Sequence, residues 1–141
     1  MKKQDEISDE RILDFLKNSW VRTTDKFTAP PIALCVGDSI IGTLGNFSAS
    51  TGKAKSKKTF NVCAIVASAM INGTILHYSA TLPENKRKIL YIDTEQSRFH
   101  CHRVLKRILK LSNLSTETQP EMLGFLSLRK YSPNVRLQII E

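Results

Sequence analysis

The chain has 141 residues, 41% of them hydrophobic and 24% charged, enough for one domain with a hydrophobic core and ordinary for a globular protein. No apolar run approaches the ~20 residues of a membrane span, and the basic start Met1-Lys2-Lys3 has no apolar stretch behind it to make a secretory signal. The net charge of +8 suits a polyanionic partner, nucleic acid or nucleotide phosphates, and equally a solvated lysine-rich surface. Cys35, Cys63 and Cys101 form no CxxC pair and leave an odd thiol under any pairing, which predicts a reduced, cytoplasmic setting.

In chain order, residues 8–20 predict an amphipathic helix. Ser8 stands at its cap position, Asp9 and Glu10 at its positive end, and Ile12, Leu13, Leu16 and Trp20 recur at helical spacing. Trp20 is expected to pack this helix down. Pro30-Pro31 ends a polar stretch. Ile32 to Val36 reads as a strand closed by Gly37-Asp38, Ile40-Ile41 resumes the chain, and Leu44 to Ser48 is expected to be a strand entering the next loop.

Residues 49–58 are small and basic. Thr59 to Ile71 is then apolar on nearly every side, the pattern of a buried helix, ended by Asn72-Gly73. Ile75 to Tyr78 is a short apolar piece. Ile89 to Ile92 runs without a break into Asp93-Thr94-Glu95 and predicts a strand buried on both faces. Ser97 caps a basic helix with Phe99, Val104, Leu105, Ile108, Leu109 and Leu111 inward, and Arg98, Arg103, Lys106, Arg107 and Lys110 outward. Leu123 to Leu128 reads as a further strand, and Ser132-Pro133 opens a last helix. Alternation of this kind predicts an α/β domain with a mainly parallel sheet, preceded by a helical extension over residues 1–31.

The motif that carries chemistry is Gly52-Lys53-Ala54-Lys55-Ser56-Lys57-Lys58-Thr59. It satisfies G-x-x-x-x-G-K-[ST], the phosphate-binding loop, except that Lys57 stands where a second glycine is expected. Backbone N–H groups of such a loop curl round phosphates, and the helix N-terminus adds its dipole. Lys58 would neutralise the β- and γ-phosphates, and the Thr59 hydroxyl would bind Mg²⁺. The nucleotide-binding segment is thus Gly52, Lys53, Ala54, Lys55, Ser56, Lys57, Lys58, Thr59 and Phe60. Lys57 is tolerated if its backbone suits a non-glycine residue and its side chain points out. A lysine-rich surface loop that merely starts a helix is the plain alternative, and the flanking strand and all-apolar helix favour the motif.

This loop, followed after one helix by a strand ending Tyr91-Ile92-Asp93-Thr94-Glu95, resembles the RecA-like ATPases, including relatives of the hexameric replicative helicases and ATPases of bacterial mobile elements. The likeness covers roughly residues 32–141. It implies the N-terminal portion of a RecA-like P-loop sandwich, with ATP and Mg²⁺ as ligands and DNA as a partner, and the sheet edges left open after the third strand predict a homo-oligomer. By the same resemblance Glu95 is the catalytic carboxylate, Lys58 the loop lysine and Thr59 the metal ligand. Asp93 reads better as a turn residue that caps the next helix. No later strand ends in the Walker B aspartate, since Leu123 to Leu128 runs into Arg129-Lys130, so little hydrolysis is expected. The rival reading is a non-enzymatic basic module that binds DNA or a protein and keeps a degenerate loop. His100-Cys101-His102 is no metal site, because neighbouring residues on a helix diverge.

Overall fold

The computed structural model describes residues 8–53 and 56–141. Helix α1 (Asp9–Ser19) is followed by strands β1 (Ile32–Val36) and β2 (Ser39–Thr43) and by helix α2 (Lys58–Ile71). Strands β3 (Thr74–Ile75) and β4 (Tyr78–Ala80), a 3-10 turn at Glu84–Lys86, strand β5 (Ile89–Asp93), helix α3 (Arg98–Leu111), strand β6 (Leu123–Ser127) and helix α4 (Pro133–Ile140) complete the order.

The mainly parallel RecA-like sandwich is not what forms. Four strands make an antiparallel sheet in the order β2-β1-β4-β3, and β5 and β6 make a separate two-stranded parallel sheet. The reason lies in the connections. Two-residue turns can join only antiparallel neighbours, whereas parallel pairing needs a crossover of a dozen residues or more. Gly37-Asp38 joins β1 to β2, with Gly37 at the positive φ of 53° that tight hairpin turns favour. Leu76-His77 joins β3 to β4, so the apolar piece Ile75 to Tyr78 spans a hairpin. The Gly37 N–H donates to the His77 carbonyl at 2.9 Å and ties the two turns together. Among the described residues only β5-α3-β6 is a crossover unit, and only there is the pairing parallel, from Ile89 opposite Leu123 to Asp93 opposite Ser127.

The core forms where α2 lies on α3 and on β6. Cys63, Val66, Ala67 and Met70 of α2 meet Val104, Ile108 and Leu109 of α3 and Leu123 of β6. Helix α2 is the buried helix that its composition predicts, with seven buried residues between Cys63 and Met70. Asn72 ends it in the left-handed conformation, and the Gly73 N–H reaches back to the Ser68 carbonyl at 3.0 Å, a Schellman-type ending. Ser97 caps α3 by accepting from the His100 N–H. Burial raises the Cys63 thiol pKa, against the nearby Arg107 charge, which lowers it.

Four further expectations are corrected. The expected strand from Leu44 to Ser48 is turn and irregular chain, so β2 ends at Thr43. Ser8 makes no side-chain cap, and α1 buries nothing: Trp20 is 64% exposed and Ile12, Leu13 and Leu16 are each more than half exposed. Strand β5 is not covered on both faces, since Leu90 is 52% exposed. Among the described residues it has a partner on one edge only, and none of them forms a layer over the Leu90 face. Phe99 points outward at the start of α3.

Candidate functional site

The loop that carries the phosphate-binding motif connects the end of the antiparallel sheet to the first turn of α2. Ala54 and Lys55 lie outside the described residues. The Ser56 N–H donates to the Lys53 carbonyl at 3.2 Å, and the chain then turns at Lys57 into the helix. A Cβ placed on Gly52 would lie 2.8 Å from the Ser56 hydroxyl. The loop therefore folds closely back on its first glycine.

Lys57 adopts φ 58° and ψ 20°, the left-handed region. This corrects the expectation of an ordinary backbone there: the position keeps the conformation a glycine would take, with a lysine in it. The side chain is exposed. For an L-residue this conformation costs roughly 1–2 kcal/mol. Lys57→Gly is expected to raise stability by about 0.5–1 kcal/mol, because relief of strain exceeds the added freedom of the unfolded chain. Lys57→Ala keeps the strain and should not stabilise. Urea midpoints of the two variants check this, and a Gly variant less stable than the Ala variant would contradict it.

Lys57 is also the N-cap of α2, and it makes no side-chain cap. A lysine has donors and no acceptor, so it cannot satisfy the first N–H groups of a helix. The first helical bond at this end runs from the Asn61 N–H to the Lys57 carbonyl. Helix α3 shows the contrast, with the Ser97 hydroxyl in that role. The first turn of α2 thus presents amide donors and the positive end of the helix dipole, with no carboxylate on it.

The Lys58 side chain reaches back from this turn into the preceding loop. Its Nζ donates to the Gly52 carbonyl and, at 3.4 Å, to the Lys53 carbonyl. Thr59 is half-buried in the first turn, and Phe60 is 39% exposed beside it. Gly52, Lys53, Ser56, Lys57, Lys58, Thr59 and Phe60 thus share one loop and one helix end. A Mg²⁺ ion takes few protein ligands when it arrives on phosphates and keeps its waters. The Thr59 hydroxyl supplies one oxygen of the right kind, and the described residues hold no cluster of three His, Cys, Asp or Glu that could bind a metal alone.

Asp93 and Glu95 part company. Asp93 is buried, and its Oδ1 accepts from the Glu95 N–H at 2.9 Å and the Gln96 N–H at 2.7 Å, while Oδ2 accepts from the Gln96 side chain at 3.0 Å. It holds the turn between β5 and α3 from a buried position, whereas the cap of α3 expected of it is made by Ser97. Glu95 is exposed, and its carboxylate makes no hydrogen bond or ion pair among the described residues. Its strand lies in a different sheet from β2, the strand that precedes the loop. Nearby, Tyr91 stacks on Phe125 with ring centroids 4.4 Å apart. The Tyr91 phenol is pushed up to about 12, chiefly by burial and further by Cys63 and Asp93. His100 and His102 are exposed around the buried Cys101.

Two clefts flank these elements. One, of about 780 Å³, opens at the carboxyl ends of β5 and β6 and carries Arg98, His102, Arg129 and Lys130. The other, of about 980 Å³, lies between the β1–β2 hairpin, residues 44–51 and the first two turns of α2. Motif reading did not find the second cleft. Its one sequence signal is Asn61, a carboxamide set in the otherwise apolar start of α2. Among the described residues no helix is long and apolar enough to cross a membrane. Compared with protein-family models, curated proteins and solved structures, the chain matches none of them.

Proposed function

We propose that the loop from Gly52 to Phe60 binds the phosphates of a nucleoside triphosphate, ATP, together with Mg²⁺. The observation that carries the reading is the start of α2. An apolar, buried helix begins at a left-handed lysine that cannot cap it, and the next residue's ammonium reaches back to the Gly52 carbonyl in the loop before it. Uncapped amides, a helix dipole and a lysine ammonium form an anion site. On binding, Lys58 exchanges two carbonyl contacts for phosphate oxygens, and Thr59 offers its hydroxyl to the magnesium.

The reading rests on this loop and not on a RecA-like sheet. It includes binding with little hydrolysis. Phosphoryl transfer to water needs a positioned nucleophile and stabilised charge as well as a clamp. Glu95 is the carboxylate this reading offers for the water, and its exposed carboxylate has no hydrogen bond or ion pair among the described residues to orient it. A role in DNA transactions is supported by the net charge of +8 and by the exposed Arg98, Arg103, Arg107 and Lys110 on α3. Self-association is supported by the open edges of β2 and β3 and the bare apolar face of α1.

Calorimetric titration with ATP, with and without Mg²⁺, tests the proposal. The expected result is saturable one-site binding that weakens when EDTA removes the metal. The rival reading, a basic module with a degenerate loop, has the exposed face of α3 in its favour and predicts no magnesium-dependent affinity.

A further inference from the structure

The cleft of about 980 Å³ is continuous with the phosphate-binding loop. Thr51, which precedes Gly52, lines its wall. Its floor is apolar, built from Leu34 and Ile41 of the hairpin and Val62 and Ile65 of α2. From Thr59 to Ile65 the helix rises about 9 Å, so the cleft leads away from the anion site along the side of α2. A volume of this size suits a small ligand in a largely apolar pocket with a few polar groups. Those polar groups include the Asn61 carboxamide and the Tyr78 phenol. Neither side chain has a hydrogen-bond partner among the described residues, whereas Asn46 and Ser48 in the same wall are engaged with the Thr43 hydroxyl and the Ile41 carbonyl.

We infer that this cleft receives the nucleoside of the bound nucleotide and that Asn61 reads the edge of its base, selecting adenine. The inference rests on the phosphate-binding reading above. A carboxamide carries one acceptor and two donors on a single plane. It matches adenine, which presents an amino donor beside a ring-nitrogen acceptor. Guanine presents two acceptors on the corresponding edge and leaves the Asn61 oxygen facing one of them. The flat base lies on the apolar floor, and the Tyr78 hydroxyl stands at the cleft wall for the sugar or the base. Asn61 sits within the first turn of α2, between the amides that meet the phosphates and the Val62–Ile65 floor.

The test is calorimetry on the full chain with ATP, GTP and inorganic triphosphate, each with Mg²⁺. Inorganic triphosphate probes the loop alone. The parent protein is expected to bind ATP on the order of 10-fold more tightly than GTP, and more tightly than triphosphate. Asn61→Ala should erase the preference for ATP over GTP and leave triphosphate binding unchanged, which also shows that the variant is folded. Ile65→Trp, which fills the cleft, should lower ATP binding toward the triphosphate level. Equal affinities of the parent for all three ligands would overturn the cleft assignment and leave the phosphate site standing. Loss of all three ligands in Asn61→Ala would make Asn61 a support of the loop and overturn its role in reading the base. A parent protein that binds no triphosphate would overturn both readings.

Discussion

Lys58→Ala is expected to weaken ATP binding on the order of 10- to 100-fold, since it removes a charge-assisted contact of roughly 1.5–3 kcal/mol. The structure makes the variant a clean one. Lys58 is the first residue of α2, where alanine is a good helix former. Among the described residues its ammonium contacts the Gly52 and Lys53 carbonyls, in an exposed loop. Those carbonyls face water once the ammonium is gone, so stability should change little. Lys53→Ala provides the comparison, because Lys53 is exposed and engages the loop through its backbone alone. It should cost less affinity than Lys58→Ala. Calorimetry on both variants decides, and equal losses would mean a diffuse basic surface in place of a built loop.

The largest effect on folding is expected at Ile108. Its side chain is fully buried in the contact between α2, α3 and β6. Ile108→Ala should destabilise by about 2–5 kcal/mol, the transfer term plus the cavity left behind. For a chain of this size that lowers the melting temperature by on the order of 10 °C. The consequence reaches the loop, because α3 supports α2 and α2 carries Lys58 and Thr59 at its start. Thermal unfolding followed by circular dichroism is the measurement. A shift of only a degree or two would mean that α3 does not hold α2 in place.

Helices and their ends were the legible part of this sequence. The run from Phe60 to Ile71 has no polar face, so burial was the only stable outcome, and Asn72-Gly73 could be read as its stop. Ser97 and Ser132-Pro133 marked the next two helix starts, though only Ser97 forms a side-chain cap. Sheet topology was not legible, because strand direction depends on which short connections are turns. Leu76-His77 carries no glycine, proline or asparagine, yet Leu76 takes a positive φ of 56° and reverses the chain. That hidden turn divides the short apolar piece from Ile75 to Tyr78 between two strands and sends β4 to pair with β1. Helix α1 misled for a different reason: periodicity marks an apolar face and says nothing of what covers it.

In the candidate site, spacing identified Lys58 and Thr59 and placed them at a helix start. The left-handed backbone of Lys57 could not be read from a lysine, since only the fold imposes it. The roles of Asp93 and Glu95 were separable only in part. A carboxylate two residues before a backbone N–H is a common turn former, which suited Asp93, while nothing local to Glu95 shows what surrounds it in space.

The central claim is that phosphates meet the uncapped start of α2. Amide chemical shifts recorded by NMR while Mg²⁺-ATP is added test it most directly, because each backbone N–H reports for itself. The expected result is a saturable shift of the amides of Gly52, Lys53 and Ser56 to Phe60. The amides of Arg98 to His100, at the capped start of α3, should stay in place. Shifts confined to the basic face of α3, with the loop amides unmoved, would contradict the claim.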